Sequence, residues 1–291
     1  MNEKEIYDLK MEATFDDAEA QLKLGSYYLL NNNISEGIHW IKAASQQELP
    51  QAIHLLAEIY ETGIYIQENK KFAYELFKLG AGHQHIPSVF KLGTYLFYGK
   101  AGEQDRQKGY ALIEFAANNN YAEAENEISG FYMEGDYVEK NVSVAIFWLK
   151  RAVEHNSLIA QFNLGMLYFD EKSYEQALEL FYASSNQGYA DAKHVIGIMH
   201  AEGLGVEKDF QFSINWCLDA LKYDHEHQGA MTTLFKLIIN LGKGSQQDFQ
   251  LFQQYLNIAS QYRNFQAIKL LEHPRFKLQK NFQELSSLIN R

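Results

Sequence analysis

"AKHVIGIMHAEGLGVEKDFQFSINWCLDA" occupies Ala192–Ala220. Its centre, "EGLGVEKD" at Glu202–Asp209, sets two glycines two residues apart beside a lysine and flanking acids. That composition fits a phosphate-cradling loop, a metal-binding loop or a turn between helices. A dinucleotide fingerprint must follow a strand, and the pattern before Glu202 is helical. No GxxxxGK[ST] occurs in the chain. "GKGS" at Gly242–Ser245 has Leu237 where the first glycine would stand. Gly203 suits the left-handed residue that ends a helix, and Asp209 suits the N-cap of the next. The loop therefore reads as a turn, and its recurrence along the chain supports that reading.

The stretch opens with a small residue, a large apolar residue four later, a small residue next and an apolar one beyond. "AQLKLGSYY" at Ala20, "AIHLLAEIY" at Ala52, "SVFKLGTYL" at Ser88, "AENEISGFY" at Ala124, "AQFNLGMLY" at Ala160 and "AMTTLFKLI" at Ala230 repeat it. The starts, Ala192 included, are 32, 36, 36, 36, 32 and 38 residues apart. Within each unit the apolar positions follow helical spacing, as in Ala160, Leu164, Leu167 and Tyr168. A second helical pattern follows, starting at Gly37, Ala73, Gly109, Ala145, Ala177, Ser213 and Phe252. No strand-like alternation survives. The spacing predicts an all-α solenoid of stacked antiparallel helix pairs in which no pair covers its own apolar face. We read residues 1–291 as a single solenoid domain: a capping helix over 1–17, seven pairs over 18–264, and a degenerate repeat with a C-terminal cap over 265–291. The degenerate helix, "FQAIKLL", stops before Pro274.

Composition agrees. Hydrophobic residues make up 46%, enough for an extended core. The 26 basic residues against 37 acidic give a net charge of −11, opposite to the basic face of a nucleic-acid binder. One cysteine, Cys217, leaves no intrachain disulfide and no thiolate zinc site. The N-terminal stretch lacks an apolar signal core, and no apolar run has the length of a membrane span. The expectation is a cytoplasmic protein that binds neither membrane nor nucleic acid.

The repeat resembles the Sel1-like repeat family, a branch of the tetratricopeptide-like helical solenoids. The sixth unit carries the match best, through Ala192, Ile196, Gly197, Gly203, Gly205, Val206, Asp209, Trp216 and Ala220. The fourth keeps Gly135, Val138, Ala145, Phe147, Trp148, Lys150 and Ala152. The first and fifth have shortened linkers, and the seventh has Phe235 where glycine is expected. The resemblance covers roughly residues 18–272. It implies a right-handed superhelix whose concave face is lined by the first helix of each pair, and a scaffold or adaptor role. Some members of the family are involved in bacterial signalling and virulence, and others resemble immunity proteins that cap secreted toxins.

That face is located by elimination, counting from the small residue at Gly25, Ala57, Gly93, Ser129, Gly165, Gly197 and Phe235. Positions −3, +1, +4 and +5 vary and share one side of a helix. They hold His54, Glu58, Glu61, Phe90, Thr94, Phe97, Tyr98, Asn126, Met133, Glu134, Phe162, Met166, Phe169, Asp170, His194, Ile198 and Glu202. Aromatic anchors among acids suit a protein-binding groove for a partner with a basic patch. About half of such rings belong to the core instead.

The histidine clusters "GHQH" (His83, His85) and "DHEH" (His225, His227) follow second helices, where a cation meets the negative end of the dipole. With Asp224 and Glu226 the second could hold a divalent metal, but i, i+2 spacing in a loop is a poor ligand frame. A metal-dependent hydrolase built on these clusters is the competing reading. Cys217, beside Trp216 on a helix facing its neighbours, reads as a buried inert thiol. No catalytic residue and no cofactor is expected.

Overall fold

The computed structural model describes residues 3–102, 104–241, 246–261 and 268. Among them all regular secondary structure is helical. The expected degenerate repeat and C-terminal cap over 265–291, residue 268 apart, and the "GKGS" segment at 242–245 lie outside the described residues.

Two compact units divide the chain, Met1–Ala145 and Ile146–Arg291. The first holds α1 (Glu3–Thr14), α2 (Ala18–Leu30), α3 (Ile34–Gln46), α4 (Pro50–Thr62), α5 (Lys70–Gly82), α6 (Ile86–Tyr98), α7 (Arg106–Asn118) and α8 (Ala122–Glu134). The boundary falls in α9 (Val142–Glu154). The second continues with α10 (Leu158–Asp170), α11 (Tyr174–Asn186), α12 (Ala190–Glu202), α13 (Phe210–Tyr223), α14 (Gln228–Leu241) and α15 (Gln246–Gln261). Even-numbered helices from α2 to α14 are the first helices of the repeat. Odd-numbered helices from α3 to α15 are the second. Every helix from α2 to α12 has 13 residues, about 20 Å of axis, so successive helices match in length.

Helix ends are set locally. Gly203 ends α12 at φ 73° with its N–H on Met199 O, as the quoted stretch predicts. The Asp209 carboxylate accepts from Phe212 N at 2.9 Å and starts α13. Asp17, Asn69 and Asp105 do the same for α2, α5 and α7. Turns from second to first helices use a left-handed residue as well. The α11–α12 turn uses Gly188, at φ 93°, but four others place Glu48, Gln84, Asn120 and Asn156 there, at φ between 59° and 64°. Non-glycine residues pay about 1–2 kcal/mol in that conformation, so packing on either side of the turn holds them in place.

Each unit buries apolar clusters of its own. In the first, Ile41, Ile53, Leu56, Phe77, Tyr95 and Leu96 are buried together. In the second, Phe181, Ile196 and Met199 form one cluster, and Ile214, Cys217, Leu221, Met231 and Leu234 another. Phe77 and Phe181, from equivalent second helices, are fully buried. Each contributes about 2–3 kcal/mol of apolar transfer. Tyr28 and Trp40 close the first pair over Leu9, Ala13, Ala20 and Leu24, which is how α1 is held.

Candidate functional site

Exposure sorts the variable positions of the first helices. Phe97 is 2% exposed and Thr94 5%, which corrects their assignment as contact residues: they are core. Phe97 packs on Phe131 and Tyr137, with ring centroids 4.6 and 5.3 Å away. Phe169 is half-buried against Tyr174 and Phe181. The +4 position points between a helix and its successor, so a ring there fills the stack.

Position −3 serves the joint between successive first helices. Phe90 of α6 meets Tyr121, the residue before α8, at 5.3 Å between centroids. Phe162 meets Tyr189 in the same way at 5.2 Å. His54 and His194 occupy the same place in α4 and α12. Asn126 there is half-buried. The residues left for a partner are the exposed Tyr98, Glu134, Asp170 and Glu202, with Glu58, Met133, Met166 and Ile198 half-buried beside them.

In the first unit the acids are partly engaged already. Lys91 of α6 donates to Glu61 Oε2 at 2.7 Å and lies 4.0 Å from Glu58 Oε1. Nothing in the repeat pattern pointed to Lys91. The imidazole of His54, then Lys91, holds the Glu58 carboxyl below its ordinary range, against the opposing effect of burial. Tyr98, half exposed, donates to Glu127 Oε1 at 2.5 Å.

One arrangement in this unit has the composition of a nucleophile with its base. Ser88 Oγ lies 3.1 Å from His54 Nδ1, and His54 Nε2 lies 3.6 Å from Glu58 Oε1. Ser88 is fully buried, however, and a second histidine, His85, also takes its hydroxyl at 2.9 Å. A substrate carbonyl could not reach it, so the geometry fails the first requirement of covalent catalysis.

In the second unit a cleft of about 320 Å³ opens between α12, α14 and the start of α13. Ile198, Ala201, Phe210 and Leu237 give it an apolar floor, and Glu202, Lys208 and Lys236 surround it with mixed charge. Ile198 and Glu202 were legible in the repeat. Lys236 stands at +1 of the seventh unit, while Lys208 and Phe210 lie outside the counted positions and join the cleft only through folding.

His83 is the C-cap of α5, at the negative end as the sequence suggested, but the later histidine of each cluster is not. His85 and His227 stand at the N-caps of the following helices, α6 and α14. The two-residue turn carries them past the second helix and onto the next first helix. Among the described residues no group of three histidine, cysteine or carboxylate side chains is placed to hold a metal ion. Cys217 is buried, and burial pushes its thiol up to about 12. Among the described residues no helix is long and apolar enough to cross a membrane.

The Sel1 repeat family matches residues 18–49, 50–85, 86–121, 122–157, 158–189 and 190–220. These segments run continuously from α2 through most of α13. Chitin synthase regulatory factor 3 of Schizosaccharomyces pombe is 28% identical over 228 residues, 73% of this chain and 21% of that protein. The chain spans less than a third of the length of the fungal relatives it matches. Among solved structures, c5321, a protective antigen of uropathogenic Escherichia coli, superposes with a TM-score of 0.66 at 22% identity, covering 97% of this chain and 62% of that one. Immunity protein Pa5087 of Pseudomonas aeruginosa superposes with a TM-score of 0.52 at 16% identity, covering 66% and 75%. Both likenesses are of fold.

Proposed function

The chain belongs to the Sel1 repeat family, and from that premise we propose that it is a non-enzymatic scaffold that binds another protein along the exposed faces of its first helices. Sel1 repeat proteins act as protein-interaction scaffolds and regulators. One observation carries the reading to this chain: Glu134, Asp170 and Glu202 are exposed at corresponding positions of three first helices, and the half-exposed Tyr98 stands at the same position of a fourth. A protein interface is made of such an anchor with polar surroundings. With a net charge of −11, the fitting partner carries a basic patch, and its association slows as salt rises.

Affinity capture with the intact chain and with Glu134→Lys, Asp170→Lys and Glu202→Lys combined tests this. Loss of the captured partner, with helical content unchanged, supports the proposal. Equal capture by both chains means another surface binds. The proposal includes a cytoplasmic setting, in which the lone buried Cys217 stays reduced, and a fractionation experiment checks it. Neutralisation of a secreted toxin is its narrower form, tested by whether the captured partner is toxic when expressed alone. Stoichiometric metal uptake under native mass spectrometry, abolished by His225→Ala with His227→Ala, would instead favour the hydrolase reading.

A further inference from the structure

Successive first helices meet through a recurring ring pair. Phe90–Tyr121 and Phe162–Tyr189 show that carbon rings fill this joint well. At two joints both partners are histidine. His54 and His85 lie 5.0 Å apart between centroids in the first unit, and His194 and His227 lie 5.0 Å apart in the second. Packing alone does not require imidazole in these places.

The pair in the second unit is bonded so that a proton disrupts it. His227 Nδ1 accepts from Ala230 N at 3.0 Å and caps α14. Its ring proton therefore sits on Nε2, which donates to Asp191 Oδ1 at 3.0 Å. A proton added at Nδ1 turns that acceptor into a donor facing an N–H, and the cap is lost. His194 Nε2 bonds Thr233 Oγ1 of α14 at 2.9 Å. Space is tight as well: a methyl group at Gly229 would stand 2.6 Å from His194 Cε1 and 3.2 Å from His227 Cε1. Asp191 of α12 is the carboxylate facing the pair. Lys193 of α12 turns instead to Asp219 of α13, at 2.5 Å. Asp224, His225 and Glu226 occupy the turn entering α14, which itself presents Thr233 to the pair and Lys236 to the cleft.

We infer that His194 and His227 form an acid-released latch that fastens the start of α14 to α12, and that its release reshapes the cleft lined by Ile198, Glu202, Thr233 and Lys236. Burial, then His227, lowers His194 from 6.5 to about 4, with Asp191 opposing. Between those values the opened chain binds more protons than the closed one. The latch is thus fully stable above about pH 6.5 and weakens as pH falls towards about 4. The first-unit pair differs. There Ser88 bridges both Nδ1 atoms, at 3.1 and 2.9 Å, and neither imidazole accepts from a helix N–H.

Hydrogen exchange of the α14 amides at about pH 7 and about pH 4.5, corrected for intrinsic rates, tests the latch. Protection over residues 230–234 falls by roughly 10- to 100-fold in the natural chain. The double variant His194→Phe with His227→Tyr, which copies Phe162–Tyr189, keeps its protection at both values. Unchanged protection in the natural chain, or an equal loss in the variant, overturns the inference. Imidazole proton NMR of the natural chain is an independent test. A His194 resonance titrating far below 6.5 supports the latch, and one titrating near 6.5 overturns it.

Discussion

The pairs α6–α7 and α12–α13 share one register and hold it differently. In α6–α7 glycine stands on both helices at the crossing. A methyl group at Gly109 would lie 2.5 Å from Phe97 N and 2.7 Å from Phe97 Cα, so backbone meets backbone. In α12–α13 the second glycine is replaced by Ser213, whose hydroxyl donates to Gly197 O at 2.6 Å. At position +4 the first pair carries the buried Phe97, and the second carries the small Ala201. One pair is held by close approach and a large ring, the other by a buried hydrogen bond. The repeat specifies the crossing point, and its neighbours decide which interaction holds it.

Substitutions that push one pair towards the other measure this difference. Phe97→Ala gives α6 the +4 residue of α12 and leaves a cavity between Phe131, Tyr137 and Arg106. It should cost about 4 kcal/mol by urea unfolding followed with circular dichroism. Tyr98→Ala, one residue on and half exposed, should cost under about 1 kcal/mol. Equal costs would mean that exposure does not separate core from contact positions here. Gly109→Ala should destabilise by about 2–3 kcal/mol, because the obstructing atoms are backbone and cannot rotate away. Gly165→Ala should cost less, since the nearest atom is Phe181 Cε1 at 2.8 Å and a ring can tilt. Ser213→Ala should cost about 1 kcal/mol for the lost hydrogen bond. A neutral result would show that the α12–α13 crossing rests on packing alone. Asp209→Ala should cost about 1 kcal/mol at the α13 N-cap. Gly130→Ala lies outside every crossing, with nothing within 4 Å of an added methyl, and should stabilise α8 by about 0.5–1 kcal/mol.

Part of the candidate face was legible before folding. Counting from Gly25 and its equivalents found the exposed Tyr98, Glu134, Asp170 and Glu202. The count also gathered Thr94 and Phe97, because four variable positions on one side of a helix span more of its surface than solvent reaches. Lys91 was missed, since position −2 holds lysine only there and at Lys23, too rarely to give a periodic signal. It matters only because Glu61 stands 2.7 Å away, 30 positions earlier in the chain.

By itself the sequence determined the helix pairs, their period, their turns and their crossings. Those features depend on backbone conformation and side-chain size within a few residues: a left-handed glycine at 203, a carboxylate at 209, a missing Cβ at 109. Only the tertiary structure decided which variable residues face solvent, which acids are paired, and that His85 and His227, at the N-cap positions of first helices, meet His54 and His194. These depend on residues 30 to 39 positions apart meeting across the stack. A repeat pattern specifies that such positions meet, but the charge and hydrogen bonds at each meeting come from the particular side chains that arrive there.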